Sequence, residues 1–226
     1  MSEGLRRYTR RTRWFHAGVY VLTLVTLGTG LWIHFGQEGK ASFLAQLLNR
    51  PDIVIHEDAG WALFALAVAV LAFGFRGVGT FVLDSLRYRR GDQKWLAQWP
   101  RSALTGRFRR HEGHFDPGQR IANLVLAGGL TVLIASGIAL IYIHGGSWFV
   151  RLAFVHRWAA FLLAPVIAGH IIVASGVLPG YRGVWRSMHW GGRVNPETAQ
   201  RLWPAWAEQR VTAPDPTDES HRPRTR

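Results

Sequence analysis

Four of the ten histidines in this 226-residue chain stand inside, or at the edge of, long apolar blocks: His16, His56, His156 and His170. An imidazole in such surroundings can hydrogen-bond a neighbour, relay a proton, or offer a ring nitrogen to a metal. His156 and His170 are fourteen residues apart. On a helix rising about 1.5 Å per residue that is about 21 Å, and at about 100° per residue it is about 40° short of whole turns. Both rings can therefore face one side of a single helix at two depths.

The elements that must position them are apolar runs too long for a soluble core. Ile121 to Ile143 has Asn123, Thr131 and Ser136 as its most polar members, and a run of that length crosses hydrocarbon about 30 Å thick. Four spans are expected, near 14–34, 56–80, 119–143 and 152–178, within a membrane domain over 1–195. All should be helical, because backbone groups in lipid must be satisfied inside their own segment. The mean hydropathy of +0.04 hides these blocks by averaging them with basic connectors. The fold class expected is all-α: an integral membrane four-helix bundle. The first block, Trp14 to Ile33, has no small-residue cleavage site after it and is expected to remain as a full span.

The net charge of +13 would ordinarily direct attention to nucleic acid, but the arginines flank apolar blocks, where topology signals lie. No nucleic-acid partner is expected. Arg6, Arg7, Arg10, Arg11 and Arg13 precede the first span, and the 87–110 connector carries Arg87, Arg89, Arg90, Lys94, Arg101, Arg107, Arg109 and Arg110. The connectors 36–55 and 144–151 are nearly free of such charge. The positive-inside rule then puts both termini and the central connector in the cytoplasm, with the chain a multi-pass membrane protein. Trp14, Trp32, Trp61, Trp148, Trp158 and Trp185 fall near span ends, as an interfacial belt would. Residues 196–210 are expected as a cytoplasmic surface segment, with the tryptophans and arginines of 181–209 suited to a membrane surface or a docking partner. Residues 211–226 are expected to be a disordered tail. No internal repeat is evident.

That topology sorts the histidines by depth. His16 and His170 lie toward the cytoplasm, and His56 and His156 toward the exterior. With no cysteine and only Met1 and Met188, thiolate-bound clusters, covalent c-type haem and methionine ligation inside the membrane are excluded. Four histidines at two matched depths then point to two b-type haems, each held by a histidine pair, stacked across the bilayer. Gly18, Gly28, Gly30, Ala59, Gly60 and Gly169 can let flat macrocycles approach helix backbones, though small residues also serve helix–helix contact. Pro165 is expected to kink the last span. Arg151 and Arg157 either pair with propionates of the outer haem or snorkel to the interface. His34 and His144 sit at outer span ends, and His111, His114 and His189 in cytoplasmic segments where a solvated or headgroup role is expected. His221 falls in the tail.

With this ligand set, the chain resembles the cytochrome b (gamma) subunit of membrane-bound bacterial formate dehydrogenases and the related thiosulfate-reductase and b561-type cytochromes. The resemblance spans residues 5 to 195. It rests on Arg13-Trp14-Phe15-His16, on His56 followed four residues later by Gly60, on Phe115-Asp116-Pro117-Gly118-Gln119-Arg120, and on the His156/His170 spacing. It implies that His56 and His156 bind the outer haem iron, and His16 and His170 the inner. It also implies a menaquinone or ubiquinone site beside the inner haem, formed partly by Asp116, Gly118 and Gln119. The implied partners are an iron–sulfur subunit and a catalytic dehydrogenase subunit, this chain being an electron-transfer subunit with a quinone-reduction site. Two departures stand out. The family commonly has Asn where Asp116 stands, and its Trp-Ala-x-x-His-His ending is replaced by Leu202-Trp203-Pro204-Ala205-Trp206.

Read physically, Asp116 and Gln119 can hydrogen-bond a quinone carbonyl, while Asp116 followed by Pro117 equally fits a helix N-cap. The two roles are compatible. Direction is open: the same fold can pass electrons from quinol to an external reductase. A haem-free anchor or transporter using its histidines as proton relays is the alternative from a different class, and it predicts a colourless protein.

Overall fold

The computed structural model describes residues 4–37 and 39–212. Within them the chain is all-α apart from one two-residue strand pair, with ten α-helices. His221, residues 213–226 of the expected tail and Glu38 of the first outer connector lie outside the described residues.

Four helices are long and apolar enough to cross a membrane: α1 (Arg10–Phe35), α3 (Asp52–Phe73), α6 (Pro117–Tyr142) and α7 (Gly146–Ala174). Between them lie α2 (Phe43–Leu48), α4 (Phe75–Leu86) and α5 (Asp92–Thr105). After them come a 3-10 turn (Pro179–Tyr181), α8 (Trp185–His189), α9 (Pro196–Leu202) and α10 (Pro204–Thr212). The long helices pack as two hairpins, α1 along α3 and α6 along α7, while α7 makes scarcely any backbone contact with α1 or α3. Both hairpins are antiparallel. Gly18 and Gly30 of α1 meet Leu66 and His56 of α3, and Gly129 and Gly137 of α6 meet Leu163 and His156 of α7.

Two spans differ from the hydropathy pattern. Span two, expected to reach residue 80, ends at Phe73, because Gly74 breaks the helix there. A Cβ on Gly74 would meet the Val70 carbonyl at 2.7 Å. The chain resumes as α4, which packs on α6, where Asn123 Nδ2 donates to Ser85 Oγ at 3.2 Å. Span four begins earlier and ends earlier than expected, and it runs as one helix through Pro165. The proline costs one backbone hydrogen bond without ending the helix.

The protein's main buried core is not in the spans but in a cap at one end of the bundle. Ala103, Tyr181, Val194, Ala199, Leu202, Trp203, Trp206 and Ala207 form it. Within the spans few side chains are buried, among them Thr29, Ile55, Leu63, Ser136 and Leu163, and many large apolar ones are exposed where lipid would lie. The first strand, β1 (Leu5–Arg6), pairs antiparallel with β2 (Arg193–Val194), which brings the chain before α1 to the chain after α7. The central connector joins them. Gly180 sits so close to α5 that a Cβ would meet the Ser102 and Ala103 carbonyls at 2.7 and 2.8 Å, and Trp99 Nε1 donates to the Tyr181 hydroxyl at 2.8 Å. All three basic segments therefore share one end of the molecule.

Residues 196–210 present one face to the cap, with Thr198, Ala199, Leu202 and Ala207 buried, and leave Glu197, Gln200, Glu208 and Arg210 exposed. Trp203 and Trp206 turn inward, and the Arg7 guanidinium lies over both rings, 4.2 and 4.4 Å from their centres. A planar cation stacks on indole faces in a way that hides both from water. Trp185 and Trp190 of the same region remain exposed.

Candidate functional site

The four intramembrane histidines come together in two pairs. His56 of α3 faces His156 of α7 with ring centres 6.1 Å apart, and His16 of α1 faces His170 of α7 at 6.3 Å. Each pair bridges the two hairpins across the opening between them. An imidazole nitrogen binds a metal at about 2.0 Å, so two rings on opposite sides of one ion have centres about 6 Å apart. Both pairs have the spacing that a shared iron requires.

The outer pair is held by a matched device on each side. Thr29 Oγ1 lies 3.1 Å from His56 Nδ1, and Ser136 Oγ lies 2.9 Å from His156 Nδ1. Each hydroxyl has one proton, and it is committed to its own helix: Thr29 donates to the Val25 carbonyl at 2.7 Å and Ser136 to the Val132 carbonyl at 2.6 Å. Toward the rings these oxygens can only accept. An imidazole that donates from Nδ1 to such an oxygen presents a lone pair on Nε2, the form that binds iron. The glycine after each hydroxyl makes room, since a Cβ on Gly30 would meet His56 Cε1 at 3.1 Å and one on Gly137 would meet His156 Cε1 at 3.2 Å.

The inner pair is built differently. His16 Nδ1 is buried without a hydrogen-bond partner among the described residues. A third imidazole, His189 of α8, lies 5.9 Å from the His16 ring and 5.8 Å from Tyr20. His189 was expected in a solvated setting. It remains exposed, but the turn after α7 folds α8 back onto α1.

The small residues divide. Gly18 serves helix packing against Leu66, whereas nothing stands within 4 Å of a Cβ on Gly28, Gly60 or Gly169, so a flat group can approach the backbone there. Ala59 is buried. Of the two arginines, Arg151 stacks on Trp148 at 5.3 Å and Arg157 is exposed. Neither forms an ion pair among the described residues. His34 packs against Phe35 and Phe161, and His144 is exposed.

Residues 7–191 match the family described as prokaryotic cytochrome b561. The chain belongs to the prokaryotic cytochrome b561 family. It is a multi-pass membrane protein for b-type haem and electron transfer, and the match ends before α9 and α10. No curated protein matches the chain.

In this cytochrome b561 the Asp116–Gly118–Gln119 segment is buried under the cap. Asp116 caps α6: its Oδ1 accepts from Gln119 N at 2.8 Å, with Pro117 in the first turn. Burial pushes the Asp116 carboxyl above its usual range, against the pull of the Gln119 N–H, His111, Arg120 and Arg7. Gly118 packs on Trp95. The Gln119 amide spans two long contacts of 3.4 Å, its Nε2 toward the Tyr8 hydroxyl and its Oε1 toward Trp203 Nε1.

His111 and His114 are likewise part of the cap rather than solvated. His111 Nε2 lies 2.7 Å from the Leu202 carbonyl, and Arg7 reaches both Nδ1 and the carbonyl oxygen of His114. Burial, with the charges of Arg7 and Arg210, lowers the His114 ring to about 3. Both histidines are covered by α9 and α10, which no apolar block announces. Gly30 and Ser136 stand out in the sequence singly, but the pairs Thr29–Gly30 and Ser136–Gly137 do not. Their signal is a hydroxyl–glycine dipeptide recurring on two spans, too short to register as a repeat.

Proposed function

We propose that this chain is the dihaem cytochrome b subunit of a membrane-bound formate dehydrogenase-type respiratory complex. It carries electrons from an iron–sulfur partner subunit on the outer face to menaquinone or ubiquinone near the inner face. The observation that carries the reading is the pairing of four histidines from three spans into two bridges, His56–His156 and His16–His170, at the spacing one iron needs. His156 and His170 stand fourteen positions apart on α7, which separates the bridges by about 21 Å along the helix and divides the membrane into two steps.

Haem held by His56 with His156 and by His16 with His170 would supply one-electron exchange without a change of ligands. The protein's own residues do the rest. Spans α1, α3 and α7 fix the rings, Arg151 and Arg157 offer cations to carboxylates at the outer level, and the clustered arginines of 6–13 and 87–110 favour the cytoplasmic side for both termini in the bacterial inner membrane. Gln119 Nε2, which makes only a long contact to the Tyr8 hydroxyl, can donate to a quinone carbonyl instead at little cost, with Asp116 capping α6 to position it.

The test is reoxidation of the dithionite-reduced protein by a water-soluble menaquinone analogue, followed at the haem α band. The wild type reoxidises, and His170→Ala lacks one haem and no longer responds to quinone. Undiminished reoxidation by His170→Ala would contradict the reading.

A further inference from the structure

We propose that Thr29 and Ser136 are positioning residues that hold the potential of the outer haem below that of the inner one, giving the pathway its direction. The inference rests on the ligand reading above and adds to it. Each outer ligand has its Nδ1 beside a hydroxyl oxygen whose own proton can be tied to a backbone carbonyl, at 3.1 Å for His56 and 2.9 Å for His156, and each ring also meets a backbone acceptor, Thr26 for His56 and Leu133 for His156. The two hydroxyls come from different hairpins, so the outer site is clamped from both sides. The inner site lacks the device: His16 Nδ1 has no partner, and no hydrogen bond to the His170 ring occurs among the described residues.

The physical consequence has a definite sign. An imidazole that gives its Nδ1 proton to an acceptor becomes more electron-rich at Nε2, binds ferric iron better than ferrous, and lowers the potential of the couple. Two such ligands act on the outer iron and none on the inner. With haem held at both levels, one electron would pass downhill from the outer couple, which would be oxidised, to the inner couple, which would be reduced, while the ligands would keep their protons. The same hydrogen bonds fix ring orientation, which the glycines Gly30 and Gly137 permit by leaving the imidazole edges uncrowded.

The experiment is a redox titration of the α band and low-temperature EPR of the full chain, comparing wild type with Thr29→Val, Ser136→Ala and the double variant. The outer component is identified as the one missing in His156→Ala. The double variant should raise the outer potential so that, at a fixed ambient potential, the oxidised-to-reduced ratio of that haem falls at least threefold, about 28 mV for a one-electron couple. The inner component should stay in place, and Thr29→Ser with Ser136→Thr, which keep the hydroxyls, should titrate as wild type. An unmoved outer potential in a variant that keeps both haems would overturn the proposal while leaving the ligand reading intact. Equal movement of both haems would overturn it too. Loss of the outer haem in Thr29→Val or Ser136→Ala that the hydroxyl-keeping variants reverse supports it, and loss that they share overturns it. A wild type without two bis-histidine haems would instead remove the reading on which it rests.

Discussion

Arg120 Nη2 lies 2.8 Å from Asp92 Oδ1, and both side chains are almost wholly shielded from solvent. Asp92 opens α5 and Arg120 stands in the first turn of α6, so the pair ties the central connector to a spanning helix. Arg120 also donates to the Arg87 carbonyl, and Asp92 Oδ2 accepts from Arg89 N at 2.8 Å. Each charge has the other as partner, while Arg120 Nε is buried without one among the described residues.

Breaking that pair should be costly because the surviving partner would stay buried and unpaired. Arg120→Ala or Asp92→Ala is predicted to destabilise the cap by about 3–5 kcal/mol, whereas the double change to apolar residues of similar size, Arg120→Met with Asp92→Leu, should recover much of the loss. Denaturant titrations in detergent followed by tryptophan fluorescence would measure both. Equal losses for the single and double variants would show that the pair itself, and not an orphaned charge, carries the stability.

His114 should make the cap sensitive to acid. Its folded value of about 3 lies below the usual 6.5, so folding favours the neutral ring. The corresponding stability is complete above about pH 6.5 and is lost progressively as pH falls toward 3, because the unfolded chain takes up a proton that the folded site refuses. His114→Gln is predicted to flatten this dependence between about pH 7 and pH 4. A variant with the same acid slope as wild type would show that other groups set it.

For Asp116 the two roles separate by substitution. Asn keeps the side-chain oxygen that accepts from Gln119 N, so Asp116→Asn should leave stability, haem content and quinone-dependent reoxidation unchanged, while Asp116→Ala should cost about 1 kcal/mol. If Asn instead slows reoxidation with both haems retained, the carboxyl moves a proton as well as capping the helix.

What the sequence disclosed follows from what lipid demands. The four spans and the histidines within them were legible because a crossing helix must be apolar throughout, which makes His16, His56, His156 and His170 conspicuous. The end of α3 was less so, since Gly74 breaks a pattern whose hydropathy continues. The cap was not legible because its contacts join distant parts of the chain: Arg7 with His114 across 107 positions, and His111 with Leu202 across 91. Trp203 and Trp206 among arginines look the same on a surface as around a buried guanidinium. Thr29 and Ser136 were hidden for another reason. A lone hydroxyl in a span can satisfy itself on its own helix, and only the opposing histidine gives it a second role.

The most direct test of the account is the haem-to-chain ratio of the purified protein, from its reduced-minus-oxidised spectrum, in the wild type and in four single histidine variants. The wild type should hold two b-type haems. His56→Ala or His156→Ala should each lose the outer haem, and His16→Ala or His170→Ala the inner. A colourless wild type, or two haems retained after any one of these substitutions, would contradict it.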